Sequence, residues 1–171
     1  MPLNVITSVY YAIFSSLLHY GSIVWGQKPN SNIKRLETIQ NKTLRVINFA
    51  QINAPTNTLY QNNKILKFKD HIKLQNLLLV HDDINRKVPF ALQNTFKPLK
   101  DTQPYQTRGV QNFKMNLPKI NKVTYGEFSI SYQAAKFWNE TVTNYPTERL
   151  NEKSRSYCKN FITNKFLESY A

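Results

Sequence analysis

The first 27 residues of this chain contain no Lys, Arg, Asp or Glu, although the 171 residues together carry a net charge of +13. A long apolar segment must be covered by lipid or by protein, because its contact with water is unfavourable. Polar residues recur along it at intervals of three and four, which indicates a helix with one narrow polar stripe. The stripe consists of Asn4, Ser8, Tyr11, Ser15, His19 and Ser22. The pattern predicts one helix over residues 2–26 that is buried on most of its sides.

The composition is that of a globular protein with few options for metal or disulfide chemistry. Hydrophobic residues make up 41% of the chain and aromatic residues 13%, which is too much for a disordered chain. The sequence has four glycines, which argues against a tightly turned all-β barrel. Cys158 is the one cysteine, so an intrachain disulfide and a four-cysteine zinc site are both excluded. It lies on the apolar face of a predicted helix, as a core residue would.

Hydrophobic spacing predicts a mainly α-helical fold with a small β-hairpin and further helices in the last part of the chain. Residues 1–50 are predicted to form a helical hairpin, and residues 51–96 a helical connector. Residues 97–126 are predicted to form a basic loop and a first strand, and residues 127–171 a second strand followed by helices. The strands are inferred from two runs of alternating apolar residues: Phe113, Met115, Leu117 and Phe128, Ile130, Tyr132.

The excess of basic residues, 23 Lys and Arg against 10 Asp and Glu, predicts a polyanionic partner. One basic group lies on the second predicted helix, opposite an apolar face formed by Leu36, Ile39, Thr43, Val46, Ile47 and Ala50. A second group lies in the predicted basic loop and first strand. The predicted nucleic-acid-binding residues are Lys34, Arg35, Lys42, Arg45, Arg108, Lys114, Lys119 and Lys122. Such side chains hold phosphates without reading base sequence, although a solvated charged face has the same pattern.

No combination of residues in the sequence predicts a catalytic or metal site. Asp82 and Asp83 follow an apolar run, as do the paired acids with which polymerases bind two metal ions. However, Val80 occupies the position where those enzymes have an aromatic residue, and no upstream strand supplies a third Asp. His71 and His81 are ten residues apart, which is not a metal-ligand spacing. We therefore expect this chain to have no enzymatic activity, no cofactor and no bound metal.

Seven stretches, in order along nearly the whole chain, resemble the region that follows the catalytic domain in non-LTR (LINE-type) retrotransposon reverse transcriptases. The first, "YYAIFSSLLHYGSIVWG", is similar to the family's Tyr-x-Ala … Leu-x-Tyr-Gly … Trp-Gly helix. The second, "LETIQNKTLRVI", is similar to a helix with the pattern Leu-x-x-x-Gln-Asn-Lys-x-x-Arg-x-Ile. The others are "LYQNNKILKFKDHIKLQ", "VPFALQNTF", "YQTRGVQNF", "GEFSISYQAAKFWNE" and "CKNFITNKF". One departure is Ala134-Ala135, which stands where the family has Gly-Pro before Lys-x-Trp-Asn.

The resemblance implies that the chain is the thumb-like helical piece and accessory region of an RNA-directed DNA polymerase. The fingers and palm, with the catalytic Asp residues, would precede Met1, so the chain would be a fragment or a decayed copy. Residues 2–26 would form a thumb helix whose uncharged surface packs against that missing part. The implied partners are RNA and DNA together with the missing palm and fingers; neither a small molecule nor a membrane is expected. The implied location is a nuclear or cytoplasmic ribonucleoprotein.

Two other interpretations are open on the sequence alone. Residues 1–26 are long enough to span a bilayer, which would make the chain a membrane-associated protein with a basic domain against anionic lipid. Alternatively, the chain would be a helical protein-interaction module with no role in nucleic-acid binding.

Overall fold

The described part of the chain is mainly α-helical, which confirms the predicted fold class. The structure, a computed structural model, describes residues 3–27, 30–102, 104–121 and 126–171. Contacts between Cα atoms divide the chain into two compact units. Unit 1 consists of Met1–Ile72 and Thr163–Ala171, and unit 2 consists of Lys73–Ile162.

Unit 1 begins with four helical segments: α1 (Leu3–Val9), a π-helical segment (Tyr10–Ser15), α2 (Ser16–His19) and α3 (Ser22–Trp25). The segment predicted as one helix is thus helical along most of its length, but it is broken after α2. At the break Tyr20 is extended, with ψ 117°, and Gly21 has φ 62°, which glycine adopts without strain. The indole Nε1 of Trp25 donates a hydrogen bond to the Tyr20 carbonyl oxygen at 2.8 Å, which stabilises the break.

These four segments turn apolar side chains to solvent. Tyr10, Ser15, Leu18 and Ser22 are buried, so part of the predicted polar stripe lies inside unit 1. Five apolar side chains on the outer side are between 46% and 85% exposed. We call them the front apolar face: Val9, Ile13, Leu17, Tyr20 and Val24. The segment is therefore not buried on most of its sides, because it packs on unit 1 through a side that includes small polar residues.

The next helix, α4 (Asn30–Ile47), is oriented differently from the sequence prediction. Four of its side chains are buried at intervals of seven, four and three positions: Ile33, Gln40, Leu44 and Ile47. The predicted apolar face is wrong in part, because Ile39 is 50% exposed and Val46 is 74% exposed. Gln40 is not a member of the predicted apolar face, yet the structure buries it completely.

Gln40 is held by three hydrogen bonds that reach two parts of unit 1, the π-helical segment and the stretch around the start of α6. Its Nε2 atom donates to the hydroxyl of Tyr10 at 3.1 Å and to the carbonyl oxygen of Leu66 at 3.0 Å. Its Oε1 atom accepts from the backbone N–H of Phe68 at 2.9 Å. A buried polar group without partners is costly, so these bonds explain how the core accommodates a glutamine.

Unit 1 is completed by α5 (Thr56–Asn62), the start of α6 (Phe68–Ile84) and the end of α10 (Arg155–Glu168). One buried cluster of this unit contains Tyr10, Leu44, Ile47, Tyr60, Ile65 and Tyr170. The hydroxyl of Tyr170 donates to Asp70 Oδ2 at 2.7 Å and accepts from the N–H of Lys67 at 3.1 Å. These contacts attach the last residues of the chain to the start of α6.

Unit 2 contains the rest of α6, the short helices α7 (Leu99–Thr102) and α8 (Arg108–Gln111), and α9 (Ile130–Asn144), followed by the start of α10. Its 3₁₀ turns are Phe90–Leu92, Pro146–Glu148 and Leu150–Glu152. Trp138 and Met115 are among its most buried side chains.

The predicted β-hairpin is wrong. Residues 130–132, the main part of the second predicted strand, begin α9, whose N-cap Ser129 accepts a hydrogen bond from the N–H of Tyr132. Met115, in the first predicted strand, makes an isolated antiparallel bridge with Pro98. Its N–H and C=O groups instead bond the side-chain amide of Asn139, at 2.7 and 2.9 Å. The alternating apolar residues around Met115 therefore reflect packing on α9. The side chain of Asn139 makes the hydrogen bonds that a partner strand would make.

Replacing Gln40 is expected to destabilise unit 1 strongly. Gln40→Ala leaves a buried hydroxyl, a carbonyl and an N–H without their partner, so we expect the free energy of unfolding to fall by about 3 kcal/mol or more. Urea unfolding followed by circular dichroism measures this change. Gln51→Ala, at an exposed position of the same unit, is the control and should change stability by less than about 0.5 kcal/mol. Equal stability of the two variants would contradict the role given to Gln40.

His19 makes the stability of unit 1 depend on pH. Its ring stacks on that of His71 with centroids 3.4 Å apart, and Ser15 Oγ lies 3.0 Å from its Nδ1. Burial lowers the pKa of His19 from 6.5 to about 4. Below pH 6.5 the unfolded chain binds a proton that the folded chain refuses until about pH 4. The contribution of neutral His19 to the free energy of unfolding is therefore fully present above pH 6.5 and is lost as the pH falls to about 4.

Between pH 7 and pH 4, the free energy of unfolding should thus fall further in the wild type than in His19→Gln. We expect the difference to be on the order of 1–3 kcal/mol. Urea titrations at half-unit pH intervals measure this difference, and the variant serves as the control for the titrating groups that do not contact His19. Parallel curves for the two proteins would contradict the assignment.

Candidate nucleic-acid interface

α4 brings four of the predicted nucleic-acid-binding residues to one side of unit 1. At 3.6 residues per turn, Lys34, Arg35, Lys42 and Arg45 fall within an arc of about 100° that extends about 16 Å along the helix. The buried residues of α4 lie on the opposite side of the helix. We call the four residues the basic strip. The helix can therefore bury one side and offer the strip to a ligand.

The side chains of the basic strip differ in their exposure and in their contacts with the rest of the protein. Lys34, Arg35 and Lys42 are exposed. Arg45 is half-buried, and its Nε donates to the carbonyl oxygen of Ala54 at 3.0 Å. Among the described residues, no ion pair involves any of the four. Their charge is thus not neutralised by carboxylates in that part of the chain, which is the condition that a phosphate ligand requires.

The other predicted basic residues belong to unit 2. Arg108 is exposed at the first position of α8, and Lys119 is exposed in the irregular stretch that follows. Lys114 is half-buried, and its N–H donates to the Gly109 carbonyl oxygen at 3.0 Å, so it lies close to the start of α8. Lys122 lies outside the described residues. The structure thus brings Arg108 and Lys114 into one neighbourhood, and no described contact joins Lys119 to them.

The two tryptophans are used for packing inside the protein. Trp138 is 1% exposed, and its Nε1 donates to the carbonyl oxygen of Phe113 at 3.0 Å. Trp25 stacks on Phe68 with centroids 5.3 Å apart. Their indole rings are occupied by these contacts within the protein.

Asp82 and Asp83 have structural partners in unit 2. The Nε–H of Arg155 donates a bifurcated hydrogen bond to the two carboxylate oxygens of Asp82, with N–O distances of 3.1 and 2.8 Å. Asp83 is 6% exposed and accepts from the backbone N–H groups of Asn94 and Phe96, each at 2.9 Å. Within the described ranges, no group of three or more His, Cys, Asp or Glu side chains is placed to hold a metal ion.

Cys158 is a buried thiol with an internal partner. Its Sγ donates to the Leu150 carbonyl oxygen at 3.2 Å, and burial raises the pKa of the thiol to about 11. A thiol needs a lowered pKa to act as a nucleophile at neutral pH, so this environment is that of a core residue.

The sequence interpretation missed a groove at the end of α4. It has a volume of about 780 Å³ and is lined by Lys42, Arg45, Val46, Phe49, Ala50 and Ile52; we call it the α4-end groove. Val46 is 74% exposed, Phe49 78% and Ile52 86%. Periodicity could not have revealed it, because an apolar residue at helical spacing is normally assigned to the core.

No protein-family model, curated protein or solved structure matches this chain. In the parts of the chain that the structure describes, no helix combines the length and the apolar character needed to cross a bilayer.

Replacing Asp83 tests its structural role. In Asp83→Asn one carboxylate oxygen becomes an NH₂ group that cannot accept from a backbone N–H, so we expect a loss of about 2 kcal/mol of unfolding free energy. Asp101→Asn, at an exposed position, is the matched control and should be nearly neutral. Thermal unfolding of both variants measures the effect. A neutral Asp83→Asn variant would mean that its two hydrogen bonds do not hold this turn in place.

Proposed function

We propose that this chain holds RNA or an RNA–DNA hybrid through phosphate contacts, as the thumb and accessory region of a LINE-type reverse transcriptase. The observation that carries the proposal is the basic strip of α4, which lies opposite the buried side and has no ion-pair partner among the described residues. Phosphate contacts of this kind give affinity and orientation without sequence preference. The excess of 13 positive charges strengthens the attraction of any nucleic acid.

The basic residues near α8 would extend the binding surface within unit 2. Arg108 is exposed, and Lys114 lies beside a shallow cavity of about 460 Å³ that is also lined by Lys136 and Glu140. A mixed lining of cations and one carboxylate is weaker for phosphate than the basic strip. We therefore assign the main contribution to α4.

We further propose that a polymerase palm covers the front apolar face. Its five side chains are at least 46% exposed, and contiguous exposed apolar surface marks contact sites for other proteins. Catalysis would then belong to the palm. The isolated chain should therefore give no product in primer extension with Mg²⁺ or Mn²⁺.

The same face favours a second candidate function, a helical protein-interaction module that does not bind nucleic acid. The two candidates differ in what the basic strip does. In the protein-interaction module, the basic strip only keeps the surface soluble. Replacing its charged residues would then leave the affinity for nucleic acid unchanged.

Salt-dependent binding of an RNA–DNA hybrid tests the proposed function. If about 6–10 phosphates are engaged, the affinity should fall by about 10³ to 10⁵ between 50 and 200 mM salt. The triple variant Lys34→Ala, Arg35→Ala, Lys42→Ala should bind more weakly, and its salt slope should be smaller by about 3. Filter binding with the full chain measures both quantities.

The matched control removes three charges elsewhere, with Lys69→Ala, Lys87→Ala and Lys159→Ala at exposed positions. The control should keep most of the wild-type slope, because these residues lie outside the basic strip. A flat salt dependence in the wild type, or equal losses in the two triple variants, would refute specific use of the strip. Unchanged affinity in the α4 variant would favour the interaction module.

A further inference from the structure

The α4-end groove presents apolar side chains and two cations on one surface. Its apolar members, Val46, Phe49 and Ile52, are each at least 74% exposed, so the fold does not use them as core. The cations of its lining are Lys42 and Arg45, and none of its lining residues is a carboxylate. A ligand that suits this groove therefore combines a flat or apolar group with negative charge.

Phe49 is held in an unfavourable conformation with its ring in solvent. It follows the last turn of α4 with φ 52°, in the left-handed region that non-glycine residues avoid. Lys64 has the same φ at the end of α5, but its charged side chain is favourably hydrated. A left-handed φ is common in the residue that follows a helix, so the feature particular to Phe49 is its exposed ring, which no described packing covers. An exposed aromatic ring beside cations is a surface on which a base can stack.

Hydrogen bonds around Phe49 fix its backbone. The N–H of Ala50 donates to the carbonyl oxygen of Arg45 at 2.9 Å, and the N–H of Phe49 donates to that of Val46 at 3.2 Å. Nε of Arg45 also holds the carbonyl oxygen of Ala54, which ties the following loop to α4. The ring is thus offered on a backbone that is already ordered, so binding a ligand has little additional ordering cost.

We propose that Phe49 and the α4-end groove form a stacking site for an unpaired base of the nucleic acid whose phosphates lie on the basic strip. The inference rests on the proposed function, because the strip and the groove share Lys42 and Arg45. Aromatic rings next to cations bind single strands by stacking on bases, whatever their identity. Bases inside a duplex do not expose their faces, so the site selects an unpaired nucleotide. A second copy of this chain fits less well, because it would bring like charges together at the rim.

Comparing two oligonucleotides of equal charge tests the stacking site. The full chain should bind a 20-nucleotide deoxyadenosine strand more tightly than a 20-unit abasic strand of the same phosphate backbone. In Phe49→Ala this preference should fall by about 5- to 150-fold, the loss expected for one stacked base. The salt slope should not change, because no phosphate contact is removed. Fluorescence anisotropy measures the affinity of the wild type and of Phe49→Ala for each of the two strands.

Three further variants separate stacking from other effects. Phe49→Trp should keep the preference, and Phe49→Leu should lose most of it, since leucine is apolar but has no ring. Phe49→Gly should lose the preference with an unchanged or raised unfolding midpoint, because glycine relieves the strain at φ 52°. Circular dichroism melts confirm that each variant is folded.

Several results would overturn the stacking site. If Phe49→Ala keeps the preference while the wild type retains its salt dependence, the stacking site is refuted and the proposed function stands. If Phe49→Leu binds like the wild type, the groove is merely apolar. If Phe49→Ala weakens binding to phosphatidylserine vesicles and leaves the deoxyadenosine strand unaffected, the groove faces lipid. If binding is independent of salt and of base, both proposals fail.

Discussion

The side-chain amide of Gln40 is the contact on which the arrangement of unit 1 depends. An amide can donate and accept at once, so one buried side chain satisfies a tyrosine hydroxyl, a carbonyl oxygen and a backbone N–H. Those three groups belong to the π-helical segment, to the connection before α6 and to the first residue of α6. Burying Gln40 sets the rotation of α4 about its axis. That rotation turns Lys34 and Lys42 outward and leaves Val46 in solvent, so the basic strip and the α4-end groove both follow from it.

Polar residues in two of the sequence motifs, "LETIQNKTLRVI" and "GEFSISYQAAKFWNE", have structural roles in this fold. Asn41, next to Gln40, accepts a hydrogen bond from the hydroxyl of Tyr60 at 2.8 Å. Trp138 and Asn139 together bond the backbone of Phe113 and Met115. An asparagine that pairs with both backbone groups of one residue replaces a strand, and this keeps the segment after α8 on α9. These motif residues therefore maintain the fold, and basic residues beside them are the better candidates for ligand contact.

The two exposed apolar surfaces of unit 1 suit different partners because their charge differs. The front apolar face lies in a segment without any charged residue, so it suits an apolar protein surface. The α4-end groove has Lys42 and Arg45 in its lining, so it suits a ligand that carries negative charge. Exposed apolar side chains cost free energy in water, and a chain that keeps two such surfaces is best explained by ligands or partners that cover them.

The sequence by itself determined the helical class, the exposure of Lys34, Arg35 and Lys42, and the core position of Cys158. These features depend on the local spacing of residues and on composition, and both can be read from a single sequence. The tertiary structure decided which side of α4 is buried, because the burial of Gln40 depends on partners far away in sequence. It also decided that Met115 pairs with Asn139 and not with a second strand, since alternation reports packing on one side and does not identify what supplies it. The same holds for the front apolar face and the α4-end groove. Apolar spacing identifies side chains for which burial is favourable, and only the tertiary structure shows that these side chains remain exposed.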